Sequence, residues 1–246
     1  MTIAIILAGG KGVRAKKDIP KQFVKVLGRP IIAYTLDIFE AHDEIDAVEV
    51  VCLAGWQDEL WKIVNKEGFQ KVKWVVEGGK DFQQSVRHGV EGLEKVCSDD
   101  DIVVVHTGVA PFLANEILTD TLRVCRKKGN AITSYPMYSL AGRYDTMHPE
   151  VTTEWIDRDQ IVCLKNPHAF RYGLVRDMYK KAVCTGLIDR VKPYTTTLMF
   201  HMGIPIYLAQ GSQANLKITT QADIELFEGF VRMRREKDRK EGLLDV

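Results

Sequence analysis

The chain has 246 residues, and its 34 lysine and arginine residues nearly balance its 33 aspartate and glutamate residues. This balance gives no reason to expect nucleic acid or a membrane surface as a partner, and five widely spaced cysteines without a Cys-x-x-Cys pair fit neither a zinc ribbon nor a disulfide framework. Because no signal peptide or transmembrane stretch is visible, we expect a single cytoplasmic domain over residues 1–246.

Short apolar runs alternate along the chain with segments of helical apolar spacing. This alternation predicts an α/β fold with a mostly parallel twisted sheet and helices on both faces. Ligands of such sheets bind beyond the carboxyl ends of the strands. The predicted strands are residues 3–7, 48–53, 72–76, 102–106 and 131–135, and the predicted helices are residues 30–40, 58–66, 83–96 and 115–127.

Residues 136–164 interrupt this alternation with short alternating runs between polar turns. They predict a protruding two-stranded β-arm, which must pack on another surface because a lone hairpin is marginally stable in water.

Residues 221–240 are predicted to be helical. The helix ends in a charge-rich stretch over residues 232–239, which is typical of a solvated helix end.

The first predicted strand runs into Gly9, Gly10 and Gly12, where backbone N–H groups can approach an anion such as phosphate. Arg14 and Lys21 add two cations that can neutralise charge on a phosphoryl group. The stretch lacks the Gly-Lys-Ser/Thr ending of a P-loop and the glycine spacing of a dinucleotide fold. The glycines alone therefore leave open a nucleotide site or an ordinary turn.

Further motifs carry a resemblance to a known family. From Ile3 to about Phe227, the chain resembles the CTP-dependent cytidylyltransferases that make CDP-methylerythritol or CDP-ribitol. The matching motifs are Leu7-Ala8-Gly9-Gly10 with Gly12 and Arg14, Pro20-Lys21-Gln22-Phe23, Gly78-Gly79 with Ser85, Val105-His106, Asp145-Thr146, Asp157-Arg158, and Asn215 with Lys217 and Thr219.

The resemblance implies a Rossmann-like nucleotidyltransferase fold, a homodimer joined by the β-arm, and transfer of CMP from CTP to a small phosphorylated alcohol. It implies Mg²⁺ on the triphosphate and assigns no residue as a metal ligand. For Arg158, the alternative to binding the acceptor phosphate is an ion pair with Asp157, Asp159 or Glu154. The implied catalytic cations are Arg14, Lys21 and Lys217. The implied nucleotide contacts are Leu7, Ala8, Gly9, Gly10, Gly12, Gly78, Gly79 and Ser85. The implied acceptor contacts are Thr107, Thr146 and Arg158, of which Thr146 and Arg158 reach the partner subunit's site.

Departures from the family pattern cluster at the acceptor site. An expected Asp-x-x-Arg-Pro reads Thr107-Gly108-Val109-Ala110-Pro111, and an expected Thr-Pro-Gln reads Asn166-Pro167-His168. The family's Thr-Asp-Asp/Glu segment has become Pro193-Tyr194-Thr195, and Phe82 replaces an arginine. We interpret His106, His148 and His168 as packing or hydrogen-bonding residues, because a phosphate nucleophile is already ionised at neutral pH.

Three functions stay open. The first is cytidylyl transfer to a polyol phosphate of the ribitol 5-phosphate type. Residues 171–174 and 217–220 slightly favour this function. The second is cytidylyl transfer to 2-C-methyl-D-erythritol 4-phosphate. The third is a non-catalytic nucleotide-binding homologue, favoured by Thr107 and Ala110 at the positions of the missing Asp and Arg. A sugar-1-phosphate nucleotidyltransferase fits less well, because such enzymes share the glycine loop but not the later motifs.

Overall fold

A computed structural model describes residues 1–10 and 19–240 of the chain. The strands are β1 Thr2–Ala8, β2 Lys25–Val26, β3 Arg29–Pro30, β4 Ala47–Cys52, β5 Val72–Glu77, β6 Ile102–Thr107, β7 Asn130–Pro136, β8 Ala141–Gly142, β9 Trp155–Ile156, β10 Val162–Arg171 and β11 Leu208–Gln210. The α-helices are α1 Ile31–Ala41, α2 Gln57–Glu67, α3 Phe82–Gly92, α4 Asn115–Lys128, α5 Tyr172–Cys184, α6 Thr195–His201 and α7 Gln221–Lys240.

Within the described residues, the main sheet has seven strands in the order β11-β7-β10-β6-β1-β4-β5. Strand β1 pairs in parallel with β4 and β6, and the pairs β4–β5 and β7–β11 are parallel as well. Strand β10 is antiparallel to both of its neighbours, β6 and β7. The predicted mostly parallel sheet is confirmed, and the antiparallel strand in its middle is an addition that the sequence did not predict.

The core lies on both faces of this sheet. In β1, Ile3 and Ile5 pack with side chains of α3 and α5, whereas Ala4 and Ile6 pack with side chains of α1, α2 and α4. All seven residues of β1 are buried, and full burial of one such aliphatic side chain stabilises the fold by roughly 1.5–3 kcal/mol. The helices on both faces confirm the predicted layers, and they hold the carboxyl ends of β1, β4 and β6 in fixed positions.

The predicted strands and helices lie within a few residues of the observed ones. The predicted helix 83–96 is the largest difference, since α3 ends at Gly92. Helices α5 and α6 and strands β10 and β11 have no counterpart in the prediction. In β10, Lys165, Asn166 and Pro167 interrupt the apolar pattern, and the pairing with β7 shifts register between Lys165 and His168.

The segment outside the main sheet is shorter than the predicted 136–164. Pro136 pairs with Val162 as part of the β7–β10 ladder, so residues 137–161 form the excursion. Within it, β8 and β9 pair antiparallel over two residues each, and Leu140 and Met147 are 82% and 81% exposed. The β-arm as a dimerisation element stays a prediction. Among the described residues, none of the helices combines the length and the apolar character needed to cross a bilayer.

Candidate functional site

A cavity of about 580 Å³ lies at the carboxyl ends of β1 and β6, beside the N-terminus of α3. The loops that follow β1, β5 and β6 meet here, beyond the carboxyl ends of the strands, where ligands of such sheets bind. The lining residues are Leu7, Ala8, Gly9, Gly10, Lys21, Gln22, Leu53, Gly79, Lys80, Asp81, Phe82, Ser85, Thr107, Val109 and Lys217.

The floor of this cavity depends on a close approach of two glycine loops. A Cβ atom on Gly78 would lie 3.1 Å from the Cα of Gly9 and 3.2 Å from the Cys52 carbonyl oxygen. The Gly78 N–H donates to that carbonyl at 2.7 Å, which fixes the loop against β4. The backbone of both loops is therefore close enough to share one ligand.

The loop that leads into α3 is closed by its own side chains. The Ser85 hydroxyl accepts from the Gly79 N–H at 3.0 Å and donates to the Asp81 carbonyl at 2.8 Å. Asp81 caps the helix by accepting from the Gln84 N–H at 2.8 Å. Ser85 thus shapes the loop, and the backbone of residues 78–81 presents the surface that a base or ribose can contact.

Two buried side chains join the first loop to the rest of the site. Gln22 donates through Nε2 to the carbonyl oxygens of Ala8 at 2.6 Å and Gly10 at 3.2 Å. Lys21 is 7% exposed and donates through Nζ to the Thr219 carbonyl at 3.1 Å. Hydrogen bonds from Thr220 and Thr219 lower the pKa of Asp223, and the Lys21 charge adds a smaller effect in the same direction. Lys21 is therefore a positioned cation at the cavity wall.

A second cavity of about 250 Å³ adjoins the first, and Phe82 and Lys217 line both. The Ile218 N–H donates to the Val109 carbonyl at 2.8 Å, so the segment that carries Lys217 is tied to the loop after β6. The residues of the smaller cavity are Phe82, Ala110, Leu164, Lys165, Asn166, His168, Tyr194, Thr196, Asn215 and Lys217.

Two histidines near these cavities are uncharged at neutral pH. Burial lowers the pKa of His106 to about 4 and that of His168 to about 4. His106 donates from Nε2 to the Ala110 carbonyl at 3.0 Å, which fixes the loop after β6. His168 is part of the smaller cavity's wall. The interpretation of His106 as a hydrogen-bonding residue agrees with this contact.

Comparison with known proteins identifies the group to which this arrangement belongs. The model of the 2-C-methyl-D-erythritol 4-phosphate cytidylyltransferase (IspD) family matches residues 2–233. The chain belongs to this cytidylyltransferase family. The ribitol-5-phosphate cytidylyltransferase of Lacticaseibacillus paracasei is 40% identical over 234 residues, which cover 94% of this chain and 98% of the relative.

Other members of the cytidylyltransferase family lie further away. The 2-C-methyl-D-erythritol 4-phosphate cytidylyltransferase of Alkaliphilus metalliredigens is 30% identical over 238 residues, covering 96% of this chain and 95% of the relative. The solved structure of 4-diphosphocytidyl-2C-methyl-D-erythritol synthase from Anaerococcus prevotii has the same fold, with a TM-score of 0.75, 24% identity, and coverage of 94% and 96% of the two chains. These findings confirm the resemblance read from the motifs and the nucleotidyltransferase fold.

The residues that the family resemblance singles out fall into four groups. Gly12 and Arg14 lie outside the described residues. Thr107 lines the larger cavity and not the smaller one, and its role as an acceptor contact stays a prediction. The third group also lines the larger cavity and consists of Leu7, Ala8, Gly9, Gly10, Gly79, Ser85, Lys21 and Lys217, with Gly78 packed against Gly9.

Thr146 and Arg158 lie in the excursion and line neither of the two cavities. Arg158 donates from its guanidinium to the Tyr138 carbonyl at 2.6 Å. Glu154 pairs with Arg143 at 2.7 Å, and Asp157 accepts from backbone and side-chain groups of residues 159 and 160. The arginine is thus anchored to the excursion's own backbone, and a role in a partner's site stays a prediction.

The residues of the larger cavity fit a metal ion that arrives with the substrate. Within residues 1–10 and 19–240, no cluster of three histidine, cysteine or carboxylate side chains could hold a metal. Asp81 supplies a carboxylate to the cavity wall. Mg²⁺ prefers phosphate oxygens and retained waters with one or two carboxylates, so this donor set suits Mg²⁺ bound to a triphosphate.

Sequence reasoning missed several lining residues. Lys165 and Thr196 come from segments without a predicted element, and they reach the smaller cavity only through the antiparallel course of β10 and the position of α6. Gln22 stands in a matching motif, but its bonds to two carbonyls of the first loop follow only from the folded chain.

Proposed function

We propose that the protein transfers CMP from CTP to a polyol phosphate of the ribitol 5-phosphate type and releases pyrophosphate. The observation that carries the proposal is the position of Lys217 in both cavities, because one cation can then contact a triphosphate in the larger cavity and an acceptor phosphate in the smaller one. The higher identity to a relative named for ribitol 5-phosphate supports this acceptor.

The reaction joins two anions. An oxygen of the acceptor phosphate attacks the α-phosphorus of CTP, the bond from that phosphorus to the β-phosphate oxygen breaks, and its electron pair leaves with pyrophosphate. No nucleophilic side chain is required, so the site must mainly suppress charge repulsion and hold the two groups in line.

The chain's own cations suit this task. Lys21 is held at the cavity wall by the Thr219 carbonyl, and Lys217 stands where the cavities meet. Arg14 is proposed to add a third positive charge from the first loop. Mg²⁺, when bound with the triphosphate, would neutralise part of the phosphate charge, and Asp81, which lines the cavity, would be the carboxylate to hold it.

The larger cavity suits a pyrimidine nucleotide read by backbone groups. Gly9, Gly10 and Gly79 line this cavity without side chains, so a ligand can approach the main chain of both loops, and Ser85 keeps the second loop in shape by accepting from the Gly79 N–H. We propose that the loop over residues 78–81 selects cytosine through these backbone groups. The reaction is proposed to take place in the cytoplasm, where CTP is available.

We further propose that two copies assemble through residues 137–161. This excursion exposes several large apolar side chains, including Tyr144 at 70% and Trp155 at 69%, and its two-residue strands need an outside surface for stability. Thr146 and Arg158 would then bind the acceptor phosphate in the partner's site, since a guanidinium can hold two phosphate oxygens at once.

Two alternatives keep a specific observation in their favour. Transfer to 2-C-methyl-D-erythritol 4-phosphate is supported by the family whose model matches and by a relative 30% identical. A non-catalytic nucleotide-binding function is supported by Ala110, which lines the smaller cavity without the positive charge that the family places there.

A pyrophosphate-release assay with CTP, Mg²⁺ and a panel of polyol and sugar phosphates tests the proposal. We expect the fastest release with ribitol 5-phosphate, and about 10²–10³ slower release in Lys217→Ala because a transition-state cation is lost. Lys62→Ala is the matched control, since this lysine is exposed on α2 and pairs only at 3.5 Å with Glu59 in that helix. Binding of CTP without release with any acceptor would favour the non-catalytic alternative.

A further inference from the structure

Two side chains that line the smaller cavity each carry a buried polar atom without a hydrogen-bond partner within the described part of the chain. The atoms are Nδ1 of His168 and Oδ1 of Asn215, on side chains that are 8% and 4% exposed. An unsatisfied buried polar atom costs about 1–3 kcal/mol. A ligand that enters this cavity can supply the missing hydrogen bonds once these side chains turn toward it.

The surroundings of these atoms fix their chemistry. The Nδ2 group of Asn215 donates to the Asn166 carbonyl at 2.6 Å, so Oδ1 is the acceptor left for a ligand. His168 is held in β10 with its ring edge-on to Phe170, at a centroid distance of 6.3 Å. Burial lowers the pKa of His168 to about 4, so its imidazole is neutral at pH 7. Both groups therefore suit uncharged hydroxyl groups better than a second phosphate.

Apolar side chains also line this cavity. Phe82 and Tyr194 contact each other with ring centroids 6.2 Å apart, and Leu164 and Ala110 belong to the same lining. A carbon chain that carries hydroxyl groups offers both hydroxyl and C–H groups to a lining of polar and apolar side chains. Lys217, which lines both cavities, supplies the charge that the phosphate end of such a molecule needs.

We propose that His168, beside Asn215, binds a hydroxyl group of the acceptor's carbon chain and thereby sets the preference among acceptors. This inference rests on the proposed function and extends it from the phosphate end of the acceptor to its hydroxyl groups. Lys217 binds the phosphate of the acceptor, whereas His168 distinguishes acceptors by the position of a hydroxyl group along their carbon chain.

The test compares His168→Leu with His168→Asn, which keeps a hydrogen-bonding group near the position of Nδ1. His42→Leu is the matched control, because His42 is 3% exposed, bonds Thr119 at 3.0 Å and lines neither cavity. With ribitol 5-phosphate we expect His168→Leu to raise the acceptor KM about tenfold, the equivalent of one hydrogen bond. The KM for CTP stays unchanged, His168→Asn recovers part of the loss, and the His42 variant resembles wild type.

Monodeoxy analogues of ribitol 5-phosphate separate direct contact from a structural effect. Wild type should discriminate about tenfold against the analogue that lacks the hydroxyl bound by His168, and His168→Leu should use that analogue and the parent equally well. An equal loss by His168→Leu on the parent and every analogue, or an unchanged acceptor KM, would overturn the inference while leaving the proposed function in place.

If wild type does not release pyrophosphate with any of the acceptors, the proposed function fails and the inference is tested by binding alone. Calorimetry with ribitol 5-phosphate in the presence of CTP then compares wild type with the two His168 variants. Binding that is about tenfold weaker in His168→Leu and partly restored in His168→Asn upholds the inference. Equal binding in all three proteins, or no binding to wild type, overturns it.

Discussion

Replacing Glu49 by glutamine should change how the stability of the protein depends on pH. Glu49 lies in the middle of β4, between Ile5 of β1 and Trp74 of β5, and it is completely buried. Within the described residues neither carboxylate oxygen has a hydrogen-bond partner. The side chain lies beneath α3, where Cβ atoms on Gly89 and Gly92 would come within 3.0 and 2.6 Å of its oxygens. Because Gly89 and Gly92 have no side chains, α3 leaves space for the carboxyl group of Glu49.

Burial raises the pKa of Glu49 from 4.5 to about 8 because the charged form loses its hydration. Between these two values the unfolded chain releases the proton, whereas the folded protein retains it. The free energy of unfolding therefore falls as the pH rises through this interval. At about 1.4 kcal/mol per pH unit the total loss is about 5 kcal/mol, which is comparable with the whole stability of a small domain.

Urea unfolding of wild type and Glu49→Gln, followed by tryptophan fluorescence from pH 5 to pH 8.5, measures this effect. Glutamine cannot ionise, so the stability difference between the two proteins should grow by several kcal/mol in favour of the variant as the pH rises. The effects of His106 and His168 cancel in this difference, since both proteins contain them.

Glu91→Gln is the control, because this carboxylate is also associated with α3 but is 56% exposed and lies 3.4 Å from Arg87. It should leave the pH dependence of wild type almost unchanged. Parallel stability curves for wild type and Glu49→Gln would show that Glu49 does not keep its proton in the folded protein. Because α3 also carries Ser85 at the larger cavity, the alkaline loss of stability should be accompanied by weaker CTP binding.

Three further predictions concern the site itself. Lys21→Ala should lower turnover about 10²–10³-fold with little change in the urea midpoint, whereas Lys25→Ala, an exposed lysine of β2, should behave as wild type; full activity of the Lys21 variant would contradict its role. Calorimetry should show tighter binding of CTP than of ATP, GTP or UTP, and equal affinity for a purine triphosphate would argue against a cytosine pocket at Gly79. Mixing inactive Arg14→Ala and Arg158→Ala proteins should restore activity, because one site of each heterodimer would carry neither defect; heterodimers that form but stay inactive would contradict shared sites.

The sequence predicts those parts of the fold in which neighbouring residues determine the outcome. Residues 3–7 and 102–105 are apolar runs rich in β-branched side chains and buried on both faces, so their apolar pattern is continuous and their strand structure follows from it. Strand β10 could not be predicted in the same way. Lys165 and Asn166 break its pattern, and its place in the sheet depends on pairing with β6 and β7, more than 30 residues away in the case of Lys165 and Thr133.

In the candidate site, too, local features could be predicted from the sequence, whereas contacts between distant residues could not. The missing side chains of Gly9 and Gly79 are visible in the sequence, and the structure places both at one cavity. The bond from Lys21 to the Thr219 carbonyl joins residues 198 positions apart, and the bond from Asn215 to the Asn166 carbonyl spans 49 positions. Such contacts depend on the folded topology, which is why the sequence pointed to the smaller cavity, here proposed for the acceptor, only through departures from the family pattern.

Product formation followed by phosphorus NMR measures cytidylyl transfer to ribitol 5-phosphate most directly. The protein is incubated with equimolar CTP and ribitol 5-phosphate in the presence of Mg²⁺. We expect both substrates to disappear together and a CDP-alcohol, recognised as a diphosphate diester, to accumulate with one pyrophosphate for each molecule formed. Unchanged substrates, or CMP formed from CTP without any diester, would contradict it.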